Sequence, residues 1–145
     1  MAEAILKKLV ANRPDAGEWH IESAGTWAHD GQPAAVLSQL AVRAMGTDIS
    51  NHESKRVTRA LIRQFDLILT MERQQKEGLI IQFKPFEDRI YMLSEMVGKL
   101  EDVPDPIGSE YEHYQATAKT LEYFLSGGIE RISQLTKIRD DTPSE

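Results

Sequence analysis

FDLILTM, residues 65–71, decides how the rest of the chain is read. The run is too short for a free-standing helix. Its apolar residues are nearly consecutive and rich in branched side chains, the pattern of a strand buried on both faces of a parallel sheet. A helix is expected next, over residues 72–83, and DRIYML at 88–93 reads as a further strand by the same criteria. Upstream, WHIESAG at 19–25 alternates like a strand. Between these strands, PAAVLSQLAVRAMG at 33–46 fits a helix, with Pro33 in its first turn and Gly46 at C′. Its apolar stripe is Val36, Leu37, Leu40, Ala41 and Ala44. A short helix is expected over 58–64 with Thr58 as its N-cap.

The two ends of the chain complete the pattern. MAEAILKKLV at 1–10 is an amphipathic helix in which Ile5 and Leu9, Leu6 and Val10 share a buried face while Glu3, Lys7 and Lys8 face water. No side chain precedes it to cap its first N–H groups, so the expectation is a frayed end or a preceding segment. Ser109 and Glu112 form a Ser-x-x-Glu capping box for the last helix, which runs past Tyr114, Ala118, Leu121 and Leu125 and is bent or weakened at Gly127-Gly128. Residues 140–145 read as a flexible tail. Strands alternating with helices imply an α/β fold around a parallel sheet, as a single domain over residues 1–139 without repeats.

The 145 residues, 41% hydrophobic, suffice for one real core. A net charge of -6 argues against nucleic-acid or anionic-membrane partners. No apolar run approaches membrane-spanning length and no signal peptide is visible, so a soluble cytoplasmic protein is expected. The chain has 0 cysteines, which excludes disulfides and thiolate chemistry within it. No His, Asp and Glu group has metal-ligand spacing, and no metal or other cofactor is expected.

Open parallel sheets bind ligands beyond the carboxyl ends of their strands, so the segments that follow them carry the candidate site. These are SAGTWAHDGQP from Ser23, TMERQ from Thr70 and EDVPDPIGSE from Glu101. Asp105 lies between Pro104 and Pro106, which stiffen the backbone and remove two N–H donors, displaying the carboxylate. Such an acid can protonate a leaving group, although an Asp-Pro turn also serves structure alone.

Together, MAEAIL, SAGT with Pro33 seven residues after its Thr, NHESKRVT, FDLILTME and DVPDPIG resemble, in order and spacing, the low-molecular-weight protein tyrosine phosphatase family. The resemblance covers nearly the whole chain and implies a three-layer, flavodoxin-like parallel sheet of order 2-1-3-4 flanked by helices. Missing from the resemblance are the family's first, central strand and its Cys-x5-Arg-Ser-Pro phosphate-binding loop, after which MAEA directly follows. The chain is thus expected to begin at an internal methionine just past that loop. In the family a cysteine thiolate attacks phosphorus, favoured by loop N–H groups and the N-terminus of the next helix, while the loop arginine stabilises the transition state.

By residue, the resemblance makes Asp105 the general acid. It places Trp27, His29 and Ile107 at the mouth of the substrate pocket, and makes Ser23, His52 and Glu72 supports of the loop. Glu72 stands where an Asp is expected. Read without the resemblance, Ser23 is a strand-end serine, His52 a surface histidine, and Trp27 and His29 surface groups. Ile107 followed by Gly108 is similar to bacterial members, some acting on phosphotyrosine and some on phosphoarginine, so the implied partner is a phosphorylated protein. Arsenate reductases share the fold but need further cysteines, which disfavours them. The expected sheet lacks its middle strand and should be gapped or rearranged, with self-association through unpaired strands open to it. Three readings follow: a phosphatase inactive as this chain stands, a pseudophosphatase that binds without catalysis, and an unrelated α/β domain.

Overall fold

A computed structural model describes residues 1–140 of the chain; of the tail expected over 140–145, Asp140 ends the last helix and residues 141–145 lie outside the described residues. The chain divides into two compact units. The first comprises Met1–Val57 and Asp105–Ser126; the second begins with Thr58–Pro104 and resumes at Gly127.

In the first unit α1 (Ala2–Val10) follows Met1 with no side-chain cap, and it buries Ala4, Ile5 and Val10. Lys7 and Lys8 are exposed as expected; Glu3 is not. The Lys8 ammonium donates to the Met45 carbonyl at the end of α2 (Val36–Arg43), where cationic side chains answer open carbonyls. Pro33 sits ahead of α2, not in its first turn, paired across an antiparallel bridge with Glu53. Gly46, at φ 87°, turns the chain out of the helix two residues after its C-cap Ala44. Ala41 packs with Tyr114 and Ala118 in a core flanked by Met1, Leu37, Met45 and Tyr111.

The strand expected over 19–25 is not formed. A short 3-10 helix, Ala16–Glu18, is followed by extended chain that joins one parallel bridge, Gly25 with Arg56. Alternation supplies the right side chains, but a strand exists only where a neighbour answers its N–H and C=O groups.

In the second unit α3 (Arg59–Arg63) is capped as expected, the Leu61 N–H donating to the Thr58 hydroxyl at 3.1 Å. Then β1 (Ile68–Thr70) pairs in parallel with β2 (Ile90–Met92), placing Ile68 opposite Ile90, Leu69 opposite Tyr91 and Thr70 opposite Met92. The crossover between them is α4 (Arg73–Gln82) and a 3-10 helix, Lys84–Arg89. Among the described residues the sheet has 2 strands, in keeping with an α/β fold whose first strand is missing.

The last helix, α5 (Tyr111–Asp140), contributes to both units. It starts two residues after Ser109, so Ser109 is not its N-cap. The Ser109 N–H instead donates to the Pro106 carbonyl at 2.9 Å, closing a turn in which Gly108 takes φ 80°. Gly127 and Gly128 do not interrupt the helix. In the second unit they face a 3-10 helix, Leu93–Val97, so closely that a Cβ on Gly128 would lie 2.5 Å from Met96 Cβ. The glycine pair is there for close approach.

Candidate functional site

Asp105 stands on a loop stiffened by Pro104 and Pro106 on either side of it. Its Oδ1 accepts the Ile107 N–H at 3.0 Å, a local turn that fixes the side chain while leaving the carboxylate exposed. Ile107 is 75% exposed and so forms an apolar surface beside the acid in sequence, unsupported by packing of its own. An oriented carboxyl group in solvent can, when protonated, give its proton to a leaving atom and then, as the carboxylate, take one from water.

The first unit holds a second group of polar side chains, gathered on Glu3. The Ser23 hydroxyl donates to Glu3 Oε1 at 3.1 Å, Lys7 Nζ donates to Oε2 at 3.1 Å, and His52 Nδ1 lies 4.0 Å from Oε2. Burial alone would raise the Glu3 carboxyl, but hydrogen bonds from Lys7 and Ser23 together with the Lys7 charge outweigh it and hold the group below its ordinary value. Glu3 belongs to the first turn of α1, where a carboxylate also meets the positive end of the helix. Two of the three expected loop supports, Ser23 and His52, therefore share one anion.

Trp27 and His29 lie in the segment that follows. Trp27 is 90% exposed and His29 is exposed as well. The segment leaves Gly25 in a turn so tight that a Cβ there would sit 2.9 Å from Ala28 Cβ. It returns along residues 53–57, where Asp30 and Ser54 make side-chain hydrogen bonds.

Glu72 is in the second unit, at the N-terminus of α4. Its carboxylate accepts the backbone N–H of Gln75, while Gln75 Oε1 accepts the Glu72 N–H at 3.1 Å, a reciprocal capping box. The adjacent Arg73 N–H donates to Asp102 at 2.8 Å, so two carboxylates answer the open end of the helix. The structure thus unites Ser23 with His52, sets Asp105 and Ile107 in one turn, and gives Glu72 a capping task. Glu3 is the member of this polar group that helical periodicity missed: its place on the stripe assigned it to water. Its signal was an acid in the first turn of an amphipathic helix followed by polar groups just after a strand-like segment. Among the described residues no helix is long and apolar enough to cross a membrane.

Comparison with known proteins matches residues 1–137 to the family described as low molecular weight phosphotyrosine protein phosphatase. The chain is 34% identical over 128 residues to a protein-arginine-phosphatase of Bacillus subtilis, covering 86% of this chain and 82% of that protein. It is also 34% identical over 132 residues to the low molecular weight protein-tyrosine-phosphatase PtpB of Staphylococcus haemolyticus, covering 86% and 84%. Among solved structures, the low molecular weight protein tyrosine phosphatase from T. tengcongensis superimposes with a TM-score of 0.82, with 32% identity over 90% of this chain and 88% of that one.

Proposed function

The chain belongs to the low molecular weight phosphotyrosine protein phosphatase family, and from that premise we propose that it carries the proton-transfer and loop-supporting parts of a phosphatase acting on phosphorylated proteins. In this reading Asp105 protonates the leaving atom of the phosphorylated side chain and then takes a proton from the water that hydrolyses the phospho-enzyme. Glu3, Ser23 and His52 form a polar base for the loop that holds phosphate, Glu72 fixes the start of α4, and Trp27, His29 and Ile107 flank the substrate.

With 0 cysteines, the 145 residues contain no thiolate to attack phosphorus, so the chain as it stands does not turn over. Joined ahead of Met1 to a strand and a Cys-x5-Arg-Ser-Pro loop, it hydrolyses phosphate monoesters. The observation that carries the reading is the displayed Asp105 carboxylate, fixed by the Ile107 N–H on a loop flanked by two prolines. The relatives' names divide between protein-tyrosine and protein-arginine phosphatases, so the substrate class is a protein phosphorylated on tyrosine or arginine. The test is release of phosphate from matched phosphotyrosine and phosphoarginine peptides by the joined chain. Release from either, abolished by replacing the loop cysteine, supports the reading; release from neither contradicts it.

A further inference from the structure

The Gly25–Pro33 segment has no helix or strand of its own, yet its backbone is bonded at almost every turn to residues 53–57. At one end the Gly25 N–H donates to the Lys55 carbonyl at 3.0 Å and the Val57 N–H to the Gly25 carbonyl at 3.1 Å. At the other the Gly31 N–H donates to the Ser54 carbonyl and the Ser54 N–H to the Gln32 carbonyl, both at 2.8 Å. Between these ends the bonds come from side chains. The Ser54 hydroxyl accepts the Gln32 N–H at 3.0 Å and donates to the His29 carbonyl, while Asp30 Oδ1 accepts the Arg56 N–H at 2.8 Å.

Ser54 therefore reaches His29, Gly31 and Gln32, with its hydroxyl used as donor and acceptor at once. A serine that merely shapes its own turn bonds backbone a few residues away. Here the hydroxyl partners are 22 and 25 residues distant in sequence. Trp27, 90% exposed, adds little packing to hold the segment, so its position rests on these hydrogen bonds.

We propose that Ser54 is a positioning residue, a latch that fixes the loop bearing Trp27 and His29 and thereby sets substrate discrimination without touching substrate. The specificity half rests on the reading that Trp27 and His29 flank the substrate; the latch itself does not.

The latch is tested on the 145-residue chain by amide hydrogen exchange. In Ser54→Ala, exchange at Gln32 accelerates by about tenfold, the size of one net hydrogen bond, and exchange at Gly25, Gly31 and Arg56 accelerates with it. Amides of α1 keep their rates, and Ser54→Thr, which retains the hydroxyl, restores protection. Acceleration at Gln32 alone, at none of these amides, or throughout the unit overturns the latch. In the chain joined to a cysteine-bearing loop, Ser54→Ala raises KM for a phosphopeptide several-fold with kcat within about twofold, since uniform binding is lost and chemistry is not. A fall in kcat at unchanged KM overturns the positioning role. Absence of turnover in the unsubstituted joined chain contradicts the phosphatase reading and, with it, the substrate-flanking task of Trp27 and His29, while the exchange result still decides the latch.

Discussion

The Ser23 hydroxyl donates to the Glu3 carboxylate at 3.1 Å, joining the end of an extended segment to the first turn of α1 across 20 residues of sequence. With His52 4.0 Å from the other carboxylate oxygen, this contact makes Glu3 the centre of a polar group in the first unit.

Glu3 imposes a pH dependence of known sign. Its folded carboxyl lies below the unfolded value of 4.5, so the unfolded chain binds the extra proton and stability rises with pH through that window. The contribution is present above about 4.5 and is lost as pH falls through the folded value. Because the group is only partly buried, screening limits it to less than about 1 kcal/mol. Thermal denaturation of wild type and Glu3→Gln from pH 3 to 7 should show a gap that closes toward acid; a gap that widens toward acid contradicts the assignment.

Glu72 acts on stability through its cap. Glu72→Ala should cost about 1 kcal/mol, while Glu72→Asp, with a side chain at least as suited to an N-cap, should cost less. Urea midpoints of the two variants decide this, and equal losses would remove the capping role.

The glycine pair in α5 predicts an order of effects. Alanine is favoured over glycine inside a helix by about 1 kcal/mol. At Gly128 the new methyl would meet Met96 Cβ at 2.5 Å and the Met96 carbonyl oxygen at 3.2 Å, and overpacking of that kind costs about 1–3 kcal/mol. At Gly127 the nearest atom is the Val97 Cγ1 at 3.2 Å, a side-chain methyl. Gly128→Ala should therefore be the more destabilising of the two in chemical denaturation, and the reverse order would refute the close approach.

Asp105→Asn separates acid from turn. The asparagine oxygen can still accept the Ile107 N–H, so the loop and the melting temperature should persist. In the chain joined to a cysteine-bearing loop, kcat should fall by about 10²–10⁴, the range for loss of a general acid. Undiminished kcat would assign proton transfer elsewhere.

Much of the fold was legible because local signals agreed with one another. FDLILTM and DRIYML contain the paired strands and Thr58 capped α3, while α2 stops at Arg43, short of the Gly46 expected to end it. The misses share a cause, since each depended on what the chain meets in space. WHIESAG has the alternation of a strand but only one bridge partner, Arg56. Ser109 has the chemistry of a cap but was drawn into the turn made by Gly108. Of the candidate site, the displayed Asp105 could be read from its prolines. Glu3 and the reach of the Ser54 hydroxyl could not, because periodicity records which face of an element is apolar and not which distant polar groups arrive there.

The most direct measurement is hydrolysis of p-nitrophenyl phosphate by the purified 145-residue chain, with intact-mass analysis for a phosphorylated intermediate. No turnover above buffer and no phospho-adduct are expected from a chain with 0 cysteines. Turnover that disappears in Asp105→Asn, or a trapped covalent phosphate on any side chain, would contradict the central claim that the nucleophile is not among these residues.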